Sequence, residues 1–317
     1  MAAGEWRVSP RETGSRLDRW LAAAERLGSR RRAVTALSRG QVFVDGVEQE
    51  VRAAGRRLVA GEVVRLWLDR PGSSRRKPAR LAGELAVIYE DDLLLVANKA
   101  PGRLTVPAPA VSDGSLRDLV ARHWRSHGRR PLVVHRIDRD TSGLVVFAKD
   151  PAAWRTLKGQ FVRRTPRREY LALVEGTPSP ASGEWRDWLR WNRAALRQEP
   201  AAPGAARARE AVTRYRVAEA FEACSLLEVQ LVSGRQHQIR AQAWLHGHPL
   251  LGERIYCGPS PTAFTAGFPR QALHAWRLGL DHPRTGRAMT FEAPLPTDFE
   301  RLLEQARRGV RVTSDRG

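Results

Sequence analysis

Cysteine is nearly absent from this 317-residue chain: Cys224 and Cys257 stand far apart and form no C-x-x-C pair. That argues against a disulfide framework and a cysteine zinc cluster, and it fits a reducing compartment. No run of eighteen uninterrupted apolar residues occurs, so no segment is expected to span a membrane. The opening stretch MAAGEWRVSPRE lacks the apolar core of a secretory signal, and the expectation is a cytoplasmic protein. Acidic residues are in deficit: 34 Asp and Glu face 54 Lys and Arg, leaving a net charge of +20. Lysine is scarcer still, with Lys77, Lys99, Lys149 and Lys158 the only four, so the surplus is carried by arginine. A surplus of this size implies a polyanionic partner, nucleic acid first, and it favours a monomer in isolation. Guanidinium groups suit bidentate phosphate contacts and stacking on bases, although so general an arginine bias also reflects genome composition.

Other absences narrow the chemistry. There is no GxxxxGK[ST] or convincing GxGxxG phosphate loop, and SPASG lacks the spacing of a hydrolase nucleophile elbow. His123 and His127 in HWRSH lie four apart. No Glu follows the first and no third ligand is near, so no metal is expected.

What is present reads as two domains. Apolar residues make up 42% of the chain, enough for a buried core. Over residues 14–69, SRLDRWLAAAERL predicts a helix capped by Ser15, and SRRRAVTALSRG a second, capped by Ser29 and stopped at Gly40. QVFVDGVEQEV predicts a hairpin turning at Asp45-Gly46, and GEVVRLWL a further strand. Arg30, Arg31 and Arg32 open the second helix. This unit resembles the small RNA-binding domain of the S-four type, which implies that the three arginines meet RNA phosphate. Residues 70–80, RPGSSRRKPAR, read as a basic linker. From residue 81 to 305, strand-like runs such as LAVIYE, LLLVANK, GLVVFAK, REYLALVEG and SLLEVQLV alternate irregularly with helical segments. They predict an α+β domain on a largely antiparallel mixed sheet with flanking helices, followed by a basic tail over 306–317.

The chemistry concentrates in HRIDRDTSGLVVFAKD. Asp138 ends an apolar run and precedes another, so a rigid sheet presents it in a connection. Arg136 and Arg139 flank it and are expected to keep the carboxylate ionised, as a structural ion pair or as a working base. Tyr170 opens the strand REYLALVEG. SGRQHQIRAQ follows a strand with a turn and gathers Arg235, His237, Gln238 and Arg240, donors suited to phosphate, ribose and base edges.

In that order, with DDLLLVANKAPGRLTV before them and HGHPLLGERIYCG, ALHAWRLGLDHPRTG and FEAPLP after, these segments resemble the RluA-type pseudouridine synthases over roughly residues 84–300. The layout is most similar to the members that act on large-subunit ribosomal RNA. The resemblance implies an isomerase that breaks the bond from ribose carbon 1 to the uracil nitrogen, turns the base and rejoins it through carbon 5. It implies Asp138 as the carboxylate at the ribose, Tyr170 as the base for the carbon 5 proton, and Arg240 as the cation that orients Asp138. Arg136, Thr141, Arg235, His237 and Gln238 would contact substrate. Asp138 either attacks ribose carbon 1 or removes the neighbouring 2′ proton. The isomerisation needs no cofactor or metal, and the base must leave its stack at a cost of a few kcal/mol. Transfer RNA as substrate, or a non-catalytic RNA-binding assembly factor on the same fold, are the alternatives. Four positions depart from the family pattern: Ala100 before Pro101, Arg168 where Lys is frequent, Gln242 where His is usual, and Glu253 where Asp is common.

Overall fold

A computed structural model describes residues 4–68, 84–107, 114–125, 130–257 and 268–309. The expected linker at 70–80 and the tail beyond 309 lie outside the described residues. The chain divides into two compact units, Met1–Gly83 with Pro107–Asp118, and Glu84–Val106 with Leu119–Gly317.

In the first unit, β1 (Gly4–Arg7), α1 (Leu17–Trp20), α2 (Arg30–Ser38), β2 (Val42–Val44), β3 (Val47–Glu48) and β4 (Val63–Leu66) make a four-stranded sheet of order β1-β4-β2-β3 and two helices. Leu17, Trp20, Leu21, Ala33, Leu37, Val42, Val44, Val64 and Leu66 share one core. The Ser29 hydroxyl accepts the Arg32 amide as expected of an N-cap. Asp45 (φ 49°) and Gly46 (φ 77°) turn the hairpin between Val44 and Val47, as the Asp-Gly dipeptide predicts. The first helix is shorter than its periodicity predicts and is entered from Arg16, not Ser15. The Trp20 carbonyl is taken by the Arg26 guanidinium at 2.8 Å, which also stacks 3.4 Å over the Trp20 ring, and the helix ends there.

In the second unit, the elements are β5 (Ala86–Glu90), β6 (Leu94–Lys99), α3 (Leu116–His123, whose first three residues are assigned to the first unit), β7 (Leu132–Val133), β8 (Ser142–Ala148), α4 (Pro151–Arg163), β9 (Arg167–Glu175), β10 (Ser182–Asn192), β11 (Arg197–Pro200), β12 (Arg209–Ala220), β13 (Cys224–Leu231), α5 (Gln238–Leu245), β14 (Leu273–Asp281), β15 (Ala288–Glu292) and α6 (Thr297–Arg307). An eleven-stranded sheet runs β11-β10-β12-β13-β9-β14-β8-β6-β5, with β15 on β14 and β7 on β8. Every pairing is antiparallel except β14 with β8, so the expected α+β class on a mixed, largely antiparallel sheet holds.

All seven residues of β8, SGLVVFA, are buried, which explains its unbroken apolar reading. Leu144, Val146 and Ala148 pack on Ala153 and Leu157 of α4, a helix started by Asp150 accepting the Ala153 amide at 2.8 Å. Burial of each larger side chain contributes on the order of 2 kcal/mol.

The parallel contact is unusually close. Ser142 and Gly143 pair with His274 and Ala275. Gly143 has φ 113°, and a Cβ there would lie 2.2 Å from the Ala275 carbonyl oxygen. Gly143→Ala is therefore expected to destabilise the protein by roughly 3 kcal/mol, from the strained backbone plus the clash. Equal urea midpoints for variant and wild type would refute this.

Candidate active site

The segment between β7 and β8 is held almost residue by residue. Lys158 donates to the Val134 carbonyl at 3.0 Å, and Thr105 bonds both the carbonyl (3.0 Å) and the amide (3.3 Å) of Ile137. The Arg139 carbonyl accepts the Lys99 ammonium at 2.7 Å, and the Asp140 carbonyl accepts Arg270 at 3.0 Å. Gln271 donates to the Thr141 hydroxyl at 3.2 Å, while the Thr141 amide returns to the Asp138 carbonyl at 3.2 Å. Backbone acceptors withdrawn from water must be paired, and here the side chains of Lys158, Thr105, Lys99 and Arg270 pair them, fixing Asp138 on a rigid frame.

Lys99 is wholly buried and also donates to the Ala100 and Arg103 carbonyls. Burial pushes its pKa down to about 7, against the pull of Asp140 and Asp138. Arg270 is anchored in turn by a two-point ion pair to Asp298 of α6, at 2.7 and 2.9 Å. Beside them His274 is buried. Its Nδ1 accepts the Ser142 hydroxyl at 2.9 Å, and its Nε2–H donates to the Ala293 carbonyl at 3.2 Å. Burial lowers its pKa from 6.5 to about 4. The unfolded chain binds that proton below about pH 6.5 and the fold refuses it until about pH 4. Stability should thus fall on acidification by up to about 1.4 kcal/mol per pH unit in that window. Urea unfolding at successive pH values tests this, and a flat response between pH 6.5 and 5 would contradict it.

Asp138 meets its cation from α5. Arg240 Nη1 lies 3.3 Å from Asp138 Oδ2. The same guanidinium makes a two-point contact with Glu253, Nε to Oε2 at 2.7 Å and Nη2 to Oε1 at 2.8 Å. Burial works against the Arg240 charge, but Glu253 and then Asp138 outweigh it and raise the pKa. Glu253 is itself buried, and its Oε1 also accepts the amides of Arg254 and Ile255 at 2.9 and 2.7 Å. His237 enters α5 at φ 54°, a left-handed conformation that costs about 1 kcal/mol or more. Its Nε2 stands 3.8 Å from Asp138 Oδ2, and burial lowers its pKa. Tyr170 pairs across β9 with Ala275 on one side and Val229 on the other. Its ring is packed among Val229, Ile239 and Ala275, and burial raises its pKa. Its hydroxyl makes no hydrogen bond among the described residues.

The other candidate positions are dispersed by the structure. Arg139 turns onto Asp140 at 3.2 Å and Arg136 is exposed, so the flanking arginines do not make the carboxylate's ion pair. Successive side chains in an extended segment point apart, and Arg240 takes that place. Thr141 is buried on Gln271, and Gln238 is buried too. The Gln238 amide oxygen accepts the Ser233 hydroxyl and the Arg235 amide, and its nitrogen donates to Val212 and Thr213, so it ties α5 to the sheet. Arg235 donates to the Glu210 carbonyl at 3.1 Å. In the first unit Arg30 is engaged by buried Asp18, Nη2 to Oδ2 at 2.5 Å, whereas Arg31 and Arg32 are exposed. Gln242 is buried and fully bonded to Trp185, Asp187, Ala211 and Thr213, so its departure from His is absorbed inside the fold. Glu253, Lys99, Thr105, Arg270 and Gln271 complete the site from positions distant in sequence; the first three lie in segments that resemble the family's, and no local pattern marks Arg270 or Gln271. No group of three or more His, Cys, Asp or Glu that could hold a metal occurs among the described residues.

The family description RNA pseudouridylate synthase matches residues 93–244. An uncharacterized RNA pseudouridine synthase of Bacillus subtilis, YlyB, is 35% identical over 95% of this chain and 97% of its own. The ribosomal large subunit pseudouridine synthase D of Nitrosomonas europaea is 34% identical over 93% of this chain and 85% of its own. Among solved structures, the human RNA pseudouridylate synthase domain containing 4 shares the fold, with a TM-score of 0.59 at 21% identity over 70% of this chain and 93% of that one. This chain belongs to the RNA pseudouridine synthase family, as its RluA-type motifs imply. Its reaction class is the isomerisation of uridine in RNA.

Proposed function

We propose that the protein converts uridine to pseudouridine in large-subunit ribosomal RNA, with Asp138, Tyr170 and Arg240 as its catalytic residues. The observation that carries the assignment of residues is the Asp138–Arg240 pair at 3.3 Å, seated on buried Glu253. The choice of RNA is supported by the relatives named for the large ribosomal subunit, from Nitrosomonas europaea and from Zymomonas mobilis, the latter 34% identical over 92% of this chain. In this reading Asp138 works at the ribose, and Arg240 orients it while offering its remaining hydrogens to a ribose or phosphate oxygen. Tyr170 takes the carbon 5 proton. His237 stands 3.8 Å from Asp138, and in this reading it meets the RNA together with Arg235 and exposed Arg136. Exposed Arg31 and Arg32 give the first unit a phosphate-binding edge, with α2's N-terminus beside them. We also read the chain as a cytoplasmic monomer, since a charge of +20 opposes self-association.

The test is carbodiimide-stopped primer extension on total RNA from a deletion strain, complemented with wild type or with Asp138→Ala. One or a few ribosomal stops should vanish and return with wild type only. Loss of a transfer RNA stop instead would replace the substrate, and persistence of every stop in the deletion strain would count against the reading.

A further inference from the structure

We propose that Arg168 is an electrostatic positioning residue for Tyr170, a fixed guanidinium that stabilises the phenolate which receives the carbon 5 proton. This rests on the proposed role of Tyr170 as that base.

Arg168 and Tyr170 are two residues apart on β9 and so project from one face of the strand. The opposite face is accounted for separately: Arg167 pairs with Glu169 at 2.5 Å, and Arg277 of β14 reaches Glu169 at 3.3 Å. Every acidic group near the start of β9 is thus spent on the far side. Arg168 has no carboxylate partner among the described residues. Its Nη2 donates only to the carbonyls of Leu231 (3.3 Å) and Ser233 (3.2 Å), and its Nε is buried with no partner at all. The guanidinium reaches Gly234, where a Cβ would come within 2.5 Å of Nη1. Two carbonyls and a missing side chain therefore fix the cation in place, so it cannot swing out as a surface arginine does.

Arg168 is half-buried, with the Phe161 ring centroid 6.0 Å from its guanidinium carbon and no carboxylate beside it, and a charge partly removed from water without a counter-ion is costly. Guanidinium does not exchange its proton near neutrality, so Arg168 acts through its field alone. Its field reaches Tyr170 and lowers the cost of ionising it, whereas burial and the field of Asp138 raise that cost. Those two are the charged groups bearing on Tyr170. The neighbours from β13, α5 and β14, namely Val229, Ile239 and Ala275, are apolar. On the outer side Arg168 feels Arg164, another cation.

The proton step balances simply. Once the base is rejoined through carbon 5, that carbon carries both the new bond to ribose and its original hydrogen. The hydrogen passes as a proton to the Tyr170 oxygen, the electron pair it leaves closes the double bond between carbons 5 and 6, and the π pair that joined carbon 6 to nitrogen 1 moves onto that nitrogen, which takes a proton from water. Tyr170 then returns its proton to water.

Tritium release from RNA labelled at carbon 5 of uridine, in single-turnover reactions from pH 6 to 10, tests the assignment. Arg168→Gln is expected to slow release at least tenfold near pH 7.5. It should also move the rising limb of the profile to higher pH by about one unit, the size expected for losing one nearby opposite charge. Arg168→Lys, which keeps the charge, is expected to hold the limb where wild type has it. An R168Q rate lowered evenly at every pH, or not lowered, would overturn the proposal. So would a folded R168K with a displaced limb, which covers the case in which R168Q does not fold. A defect confined to RNA affinity, with a shallower salt dependence, would make Arg168 a phosphate contact instead. Wild type that releases no tritium fails the proposed function itself, whereas an active wild type with an unmoved R168Q limb fails only this inference.

Discussion

Asp138→Asn is expected to abolish isomerisation, lowering single-turnover tritium release by at least about 10³-fold, while the protein folds and binds RNA much as wild type does. The size follows from the role: the amide can neither attack ribose carbon 1 nor accept its neighbour's proton, and the nearby carboxylates among the described residues are taken. Asp140 is engaged by Arg139 at 3.2 Å, and Glu253 lies behind Arg240. The expected sparing of the fold follows from the loop. Its carbonyls at Ile137, Arg139 and Asp140 are held by Thr105, Lys99 and Arg270, none of which touches the Asp138 carboxylate. Arg240 keeps its two-point partner, so the substitution leaves no unpaired buried charge. Circular dichroism, a melting curve and a binding isotherm beside the rate measurement separate these effects. Retention of a tenth of the wild-type rate would remove Asp138 from the chemistry.

Much of this arrangement was legible in the chain, and what was not has a common cause. The unbroken apolar reading of GLVVFAK marked β8, and the charges before it marked a connection at a strand end; both follow from local rules of burial and backbone exposure. The Asp45-Gly46 turn and the Ser29 cap are equally local. The partner of Asp138 is not. Arg136 and Arg139 are its neighbours along the chain, yet the contact comes from Arg240, 102 residues away, which only the family resemblance and no local rule pointed to. Pairings at that separation are made by the sheet order, which places α5 after β13 and β13 beside β9, not by any spacing a reader can count. Thr141 and Gln238 show the converse. A polar residue at a strand or helix end reads equally well as a substrate contact or as a partner for groups inside the fold, and the structure bonds Thr141 to the Gln271 side chain and Gln238 to the Val212 carbonyl. Lys99 and Arg270 belong with them, since cations in a basic chain suggest RNA while these two grip carbonyls of the site loop. Arg168 is the reverse case, a half-buried cation with an unpartnered Nε and no carboxylate beside it among the described residues.

Glu253→Gln should be the most damaging substitution that leaves every reacting group in place. In the wild type the buried guanidinium of Arg240 is neutralised mainly by Glu253, through contacts of 2.7 and 2.8 Å, and only secondarily by Asp138 at 3.3 Å. Removing one member of a buried ion pair strands the other, which costs about 3–5 kcal/mol, far more than the pair's own net contribution. Two outcomes compete for Arg240 once Glu253 is neutral. It can draw Asp138 into a tighter pair, which holds the carboxylate away from the ribose, or it can swing toward solvent and leave Asp138 without its orienting cation. Either lowers the rate, and the expected loss is on the order of 10²-fold beyond what destabilisation removes, measured at a temperature where the variant is fully folded. Glu253→Asp, which restores the residue common in the family, keeps the charge and shortens the arm by one methylene. It should recover most of the stability and part of the rate. The order wild type, then Asp, then Gln in both melting temperature and tritium release is the expected pattern. If Gln matches wild type in rate while losing stability, Glu253 merely supports the fold, and the path from it through Arg240 to Asp138 plays no part in the reaction.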